Sequence, residues 1–131
     1  MDNKNIKVLV VDDEADFRQL MKFWLETKGY SVIVASGGEE AIDITEKESS
    51  DIIFMDLRMP GIDGVETIKR IRRFNKVIPI IVISAYADEL KIEEANQYQI
   101  SGVFHKDKGF DEGLALLESA LRTHKQLKKE P

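Results

Sequence analysis

The sequence lacks cysteine altogether, has only three prolines, and contains no apolar run of about 18 residues or more. The absence of cysteine excludes disulfides and agrees with a reducing compartment, so we expect a cytoplasmic protein. Because the sequence has no long apolar run, we expect neither a signal peptide nor a membrane span. The net charge of -5 at pH 7 argues against direct binding of nucleic acid. The 131 residues suffice for one domain that needs no structural metal.

Five apolar runs alternate with helical patterns along the chain. The runs are rich in Val and Ile without a polar residue at every second position, which is typical of parallel strands covered on both faces. Strands that alternate with helices form a parallel sheet through right-handed crossovers. The pattern therefore predicts an α/β fold with one five-stranded parallel sheet and helices on both faces. The predicted strands cover residues 6–13, 30–36, 51–56, 77–85 and 101–106.

The helical segments are predicted from apolar spacing and from residues typical of helix ends. After the first strand, apolar residues recur at the spacing of one helix face. They are Phe17, Leu20, Met21 and Trp24. Gly29 is expected to end this helix in a left-handed conformation, and Asp63 and Gly64 are expected to open the third helix. The fourth helix, expected over residues 87–98, has the poorest apolar stripe of the set.

The stretch FMDLRMPGIDG, residues 54–64, raises a specific question about Asp56. A buried strand leads into this aspartate and breaks at once into a loop with one proline and two glycines. A carboxylate at the end of a buried strand either caps the following turn or serves as a reactive group. Taken alone, such an aspartate is slightly more often a capping residue than a nucleophile.

Polar residues stand at the ends of four of the five predicted strands. They are Asp12 and Asp13 on the first strand, Asp56 on the third, Ser84 on the fourth and Lys106 on the fifth. Ligands of open parallel sheets bind at the carboxyl ends of the strands, where these residues would meet. Three neighbouring carboxylates repel one another, and a proton, a cation or Lys106 must relieve that repulsion. Oxygen ligands without His or Cys suit Mg²⁺ or Mn²⁺.

This arrangement predicts phosphoryl transfer to Asp56. An aspartate can act as a nucleophile and form an acyl phosphate. A metal ion would neutralise charge on the transferring group, while Lys106 and the Ser84 hydroxyl bind its oxygens. The loop after Asp56 would turn the backbone carbonyl of Arg58 toward the metal. Each residue alone has an ordinary structural interpretation, so the functional interpretation depends on their joint placement.

Four segments resemble the receiver domain of two-component response regulators. They are VLVVDDEADFR, DIIFMDLRMPGIDGVE, PIIVISAYAD and GVFHK. The resemblance covers residues 5–124, which we expect to form the receiver domain, and leaves residues 125–131 as a basic tail or the start of a linker. It implies a flavodoxin-like (βα)5 fold with strand order 2-1-3-4-5.

The resemblance also implies a role for each residue at the strand ends. Asp56 accepts a phosphoryl group from the phosphohistidine of a histidine kinase or phosphotransfer protein. Asp13 and Asp56 bind Mg²⁺ directly, and Asp12 acts mainly through water. Ser84 moves toward the phosphoryl group, and Lys106 pairs with it. The domain would thus catalyse its own phosphorylation and dephosphorylation.

Two residues near Lys106 depart from the family pattern. Asp107 stands where the family usually has proline, so a trans peptide bond is expected there. Val103 stands where the family commonly has the switch aromatic that couples to the serine, and Phe104 is expected to face the core. We therefore expect the phosphorylation chemistry to persist and its relay to differ.

The signal is expected to leave through the face formed by the fourth helix, the fifth strand and the fifth helix. Its recipient would be an output domain, a partner protein or a second copy in a phosphorylation-dependent homodimer, and neither a membrane nor nucleic acid is expected to bind. Arg58 and Tyr86 flank the pocket and are expected to gate the approach of water.

Two alternatives remain open. One is a pseudo-receiver that binds partners without phosphotransfer. The other is a phosphatase with an aspartyl nucleophile, although that class usually has D-x-D where Asp12 and Asp13 are adjacent. No GK[ST] loop and no G-x-G-x-x-G motif occurs, so nucleotide binding has no support.

Overall fold

The computed structural model describes residues 5–85 and 88–129, with side chains described through residue 124. Its strands are β1 Lys7–Val11, β2 Ser31–Ala35, β3 Ile52–Asp56, β4 Ile80–Ser84 and β5 Gly102–His105. Its helices are α1 Ala15–Thr27, α2 Gly38–Lys47, α3 Gly64–Arg72, α4 Glu89–Asn96 and α5 Phe110–Lys129. All strand pairs are parallel, and the sheet order is β2-β1-β3-β4-β5. The predicted fold and strand order are confirmed.

Two apolar clusters cover the two faces of the sheet. Successive strand residues point to opposite faces, so Leu9 and Val11 join one cluster while Val8 and Val10 join the other. The first cluster contains buried residues of α2, α3 and α4, and the second contains those of α1 and α5. Every residue of β3 and β4 is buried. This double cover explains why the strands are apolar throughout, and it leaves only their ends free to carry chemistry.

Each strand is shorter than the range predicted from its apolar run, and the remaining residues of those ranges lie in the loops. Asp12 and Asp13 follow β1, and Lys106 follows β5. At the other end of the sheet, Pro79 precedes β4. The last helix reaches Lys129 and so includes most of the segment expected to be a tail. No helix among the described residues is long and apolar enough to cross a membrane.

One residue of the predicted apolar face of α1 lies outside the core. Leu20 is 54% exposed, whereas Met21 and Leu25 are buried and Phe17 and Trp24 are partly buried against them. Because each helical residue advances about 100°, Leu25 extends the buried arc on one side and leaves Leu20 at the opposite margin. The expectation for α4 is confirmed, since Ala95 is the one buried residue along that helix.

Glycine and aspartate shape the return from β3 to α3. Asp63 precedes α3, and its Oδ1 accepts the backbone N–H of Glu66 at 2.9 Å. Gly64 begins the helix and donates its N–H to the carbonyl of Leu57 at 3.0 Å. A Cβ on Gly64 would lie 2.2 Å from the carbonyl oxygen of Asp56, which is backbone and cannot turn aside. The absence of a side chain here lets α3 start directly against the end of β3.

Replacing Gly64→Ala should therefore lower the free energy of unfolding by about 1–3 kcal/mol, the usual cost of forcing atoms into filled space. Gly37→Ala is the control, because Gly37 lies immediately before α2, has an extended φ of -164°, and has open space where a Cβ would stand. Urea unfolding followed by Trp24 fluorescence would measure both changes. Equal losses in the two variants would contradict the packing argument.

Candidate functional site

Three carboxylates meet at the carboxyl ends of β1 and β3. The parallel pairing sets Val11 opposite Met55, so the next residues of both strands emerge side by side. Asp12, Asp13 and Asp56 each contribute one carboxylate oxygen to a set whose members all lie within 4.8 Å of one another. Asp12 and Asp56 are buried, whereas Asp13 is exposed at the mouth of the pocket.

Local hydrogen bonds fix the two buried carboxylates. Oδ1 of Asp12 accepts the backbone N–H of Glu14 at 2.8 Å, and Oδ1 of Asp56 accepts that of Arg58 at 3.2 Å. The other Asp12 oxygen, Oδ2, is buried and receives no hydrogen bond of regular geometry from the described residues. This oxygen instead faces a cation, because the Nζ of Lys106 lies 2.9 Å away.

Lys106 supplies positive charge to this pocket. Its Nζ lies 2.9 Å from Oδ2 of Asp12, donates a hydrogen bond to Glu14 and sits 4.6 Å from the ring centre of Phe17. Burial lowers the pKa of Lys106, but the carboxylates of Glu14 and Asp12 oppose this and raise it above the ordinary value. The ammonium group therefore stays charged. Sequence reasoning missed Glu14 because nothing in the local pattern links it to a residue 92 positions away.

The pocket carries more negative charge than Lys106 can neutralise. Burial, followed by the charge of Asp12, raises the pKa of Asp56 to about 8, although Lys106 and the Arg58 N–H act in the opposite direction. Burial also raises the pKa of Asp12. A second positive charge would relieve this repulsion. The donor set is made only of carboxylate oxygens, and it fits a hard divalent cation such as Mg²⁺ or Mn²⁺.

A second group of side chains lies on the β4 side. Ile83 pairs with Asp56 across the sheet, and buried Ser84 follows it at the end of β4. The Ser84 hydroxyl donates to Oδ2 of Asp88 at 3.4 Å, a long hydrogen bond. Arg58 donates from Nε to Oδ1 of Asp88 at 2.6 Å, and its Nη2 lies at the same distance from that oxygen. Sequence reasoning missed Asp88, which lay inside the helix expected over residues 87–98.

The structure describes the remaining predicted residues, with one exception. Val103 is partly buried against the cluster that contains α4, while Phe104 is fully buried on the opposite face, as expected. Asp107 is exposed, and every peptide bond among the described residues is trans. Arg58 is placed beside Asp56 by its backbone N–H, and its side chain points to Asp88. The exception is Tyr86, which lies outside the described residues.

Comparisons with known proteins agree with this geometry. Residues 8–118 match the family described as the response regulator receiver domain. The chain is 34% identical over 107 residues to sporulation initiation phosphotransferase F of Bacillus subtilis, covering 82% of this chain and 85% of that protein. It is 44% identical over 100 residues to the transcriptional regulatory protein ResD of the same organism, covering 76% of this chain and only 39% of that protein.

A solved structure shows the same fold. The response regulator protein TrrA of Thermotoga maritima, in complex with Mg²⁺ and BeF, superposes with a TM-score of 0.82 at 32% identity. The match covers 88% of this chain and 99% of that one.

Without metal, stability should fall as the pH rises from about 5 to 8. Between the ordinary pKa of 3.8 and the raised pKa of about 8, the folded chain keeps a proton on Asp56 that the unfolded chain releases. One such proton lowers the free energy of unfolding by at most about 1.4 kcal/mol per pH unit. Asp56→Asn should flatten this slope and be more stable than the wild type at pH 7. Urea unfolding in EDTA at several pH values measures it.

Asp43→Asn provides the control for this prediction. Asp43 is exposed on α2 and pairs only with Lys47 among the contacts of the described residues, so its replacement should leave the pH slope unchanged. If the free energy of unfolding varies with pH in the same way in the wild type and in Asp56→Asn, the predicted rise in the pKa of Asp56 is wrong.

Proposed function

This chain belongs to the response regulator receiver domain family, and from that premise we propose that Asp56 accepts a phosphoryl group from the phosphohistidine of a histidine kinase or phosphotransfer protein. The observation that carries this proposal is the meeting of three carboxylates within 4.8 Å at the ends of β1 and β3. A capping role for Asp56 would not require a buried partner such as Asp12. The burial and charge crowding at Asp56 instead favour a group held for reaction.

In the proposed reaction a carboxylate oxygen of Asp56 attacks the phosphorus atom. The P–N bond of the donor breaks, and the imidazole nitrogen takes the bonding electrons and a proton from solvent. Asp13, Asp56 and the backbone carbonyl of Arg58 would hold Mg²⁺, and Asp12 would act on it through water. The ion would supply positive charge that favours the ionised form of Asp56 and offsets the charge of the phosphoryl group. Mn²⁺ would suit the same ligands.

Lys106 and Ser84 would stabilise the transferring group. Lys106 is already charged and lies beside Asp12, so its ammonium group can bind an equatorial oxygen as charge develops there. Ser84 ends the neighbouring strand and offers a hydroxyl from a buried position. In dephosphorylation water attacks the phosphorus atom, the P–O bond to Asp56 breaks, and the carboxylate and inorganic phosphate are released. Arg58 and Tyr86 would gate the approach of this water.

The signal would leave through the face formed by α4, β5 and α5. With little apolar burial, α4 is the helix most easily displaced. The named regulator ResD is more than twice as long as the matched segment, which supports an output domain or partner as the recipient, with a phosphorylation-dependent homodimer as one form. On this proposal residues 5–124 form the receiver unit.

Incubation with acetyl phosphate or phosphoramidate and Mg²⁺ should add one phosphoryl group, measured by intact mass. Asp56→Asn should gain none, and Asp43→Asn should behave like the wild type, because the exposed Asp43 lies on α2 away from the pocket. Addition of EDTA should abolish the gain. A folded wild type that gains no mass from either donor would favour a pseudo-receiver that binds partners without phosphotransfer.

Saturating Mg²⁺ should raise the melting temperature, because a bound cation relieves the carboxylate repulsion. A ligand at a hundred times its dissociation constant adds about 2.7 kcal/mol if it does not bind the unfolded chain. Asp13→Asn should lose most of this gain in melting temperature, because the substitution removes one of the carboxylates proposed to bind the ion. Differential scanning fluorimetry over a Mg²⁺ series measures it, and a wild type insensitive to Mg²⁺ would argue against the metal site.

A further inference from the structure

The carboxylate of Asp88 accepts hydrogen bonds from two side chains that lie next to Asp56. It receives hydrogen bonds from the Arg58 guanidinium at 2.6 Å and from the Ser84 hydroxyl at 3.4 Å. Arg58 is two residues from Asp56, and its backbone N–H donates a hydrogen bond to the Asp56 carboxylate. Ser84 follows the residue that pairs with Asp56 across the sheet. Asp88 thus holds the two polar side chains that a new anion on Asp56 would attract.

Asp88 also stands at the start of α4 without capping it. Its backbone carbonyl accepts the N–H of Ile92 at 2.9 Å, as expected of the residue that precedes a helix. Aspartate is among the preferred residues there, because its side chain can accept the first N–H groups that have no partner within the helix. The Asp88 side chain makes no such bond. The carboxylate therefore has a second set of donors within its own segment.

The Asp88 carboxylate can therefore have hydrogen-bond donors in two arrangements. In one it is bound by Arg58 and Ser84, and in the other it caps α4. We propose that Asp88 is a positioning residue that competes with a phosphoryl group on Asp56 for Arg58 and Ser84. Phosphorylation draws these two groups to the phosphoryl oxygens, and the released Asp88 carboxylate caps α4. This exchange rests on the proposed phosphorylation of Asp56 and specifies how that event reaches α4.

The charges favour the exchange. A phosphoryl group carries about -1.5 to -2 charges at neutral pH, whereas Asp88 carries one. A guanidinium binds phosphate through two parallel N–H donors, which adds to the attraction. The Arg58 side chain is 62% exposed and can turn, whereas the Asp88 side chain is 3% exposed and stays. Removing Arg58 would leave a buried charge unpaired, and the helix N-terminus supplies the replacement.

The packing of α4 explains why the exchange moves this helix. Ala95 is its one buried residue, and Leu90 is 77% exposed. Its first turn is held by the Arg58–Asp88 pair and by Lys91, whose Nζ lies 2.7 Å from Oδ2 of Asp63. Val103 offers no ring or hydroxyl to couple with Ser84. An ion-pair exchange at Asp88 therefore provides a route from Asp56 to α4 that needs no switch aromatic.

The first test is NMR of the wild-type protein with arginine side chains labelled with ¹⁵N. Addition of Mg²⁺ and beryllofluoride, a phosphoryl mimic, should move the Nε–H resonance of Arg58. The same addition should increase the protection of the backbone amides of residues 89–91 against exchange. In Asp88→Asn the Arg58 resonance should already lie near its released position before beryllofluoride is added.

The second test compares phosphorylation rates with acetyl phosphate. Asp88→Asn keeps the shape of the side chain and a preferred helix-capping residue but removes the charge. It should accelerate phosphorylation by about fivefold or more, the lower end of usual coupling effects. Lys91→Gln is the matched control, because it removes the other ion pair of α4 and leaves Arg58 and Asp88 intact. Its rate should stay within about twofold of the wild type.

The outcomes separate this inference from the function on which it rests. If beryllofluoride shifts amides around Asp56 but leaves the Arg58 Nε–H resonance unchanged, the exchange is wrong and phosphorylation stands. Equal acceleration by Asp88→Asn and Lys91→Gln would also overturn it, because loosening α4 would then suffice. If beryllofluoride changes nothing and no phosphoryl group is gained, both proposals fail. The wild-type spectrum decides the matter even if Asp88→Asn does not fold.

Discussion

Two buried carboxylates face each other because the backbone gives them no alternative. Parallel pairing of β1 with β3 aligns the strand ends, and the double apolar cover prevents Asp12 or Asp56 from turning back toward solvent through the core. The two carboxylates repel each other, and Lys106, which follows β5, offsets part of that repulsion through its ion pair with Asp12. The fold thus keeps two repelling carboxylates together at this edge of the sheet, and that repulsion favours the binding of a cation there.

The polar residues near this centre fall into two sets with different mobility. Lys106 and Glu14 connect the loops after β5 and β1, which follow well-packed strands. Arg58, Asp88 and Lys91 connect the loop after β3 to a helix that buries little apolar surface. Ion pairs replace hydrophobic contacts as the main support for the start of α4. Such contacts respond to a change of local charge, which packed aliphatic side chains do not.

The sequence predicted the features that follow from the spacing of its apolar residues and from the position of polar residues at strand ends. The alternation of apolar runs with helical patterns was enough for the sheet and its layers, and the strand-end rule was enough to bring Asp12, Asp13 and Asp56 together. It missed Glu14 and Asp88, because their partners are determined by which loops meet in space. Leu20 was misplaced because its spacing fits a helix face equally well whether the buried arc is centred on it or on Met21.

The close approach of Gly64 to the Asp56 carbonyl makes the two walls of the pocket unequal. On one wall, the backbone of Asp56, the proposed nucleophile, is locked against α3 and tolerates little change. On the other, Arg58, Asp88 and Lys91 interact through side-chain ends, and their replacement need not disturb the sheet. Related chains can therefore diverge in the timing of their response while the bond-forming atoms stay where they are. A receiver built this way can be retuned by natural variation on one side of its pocket alone.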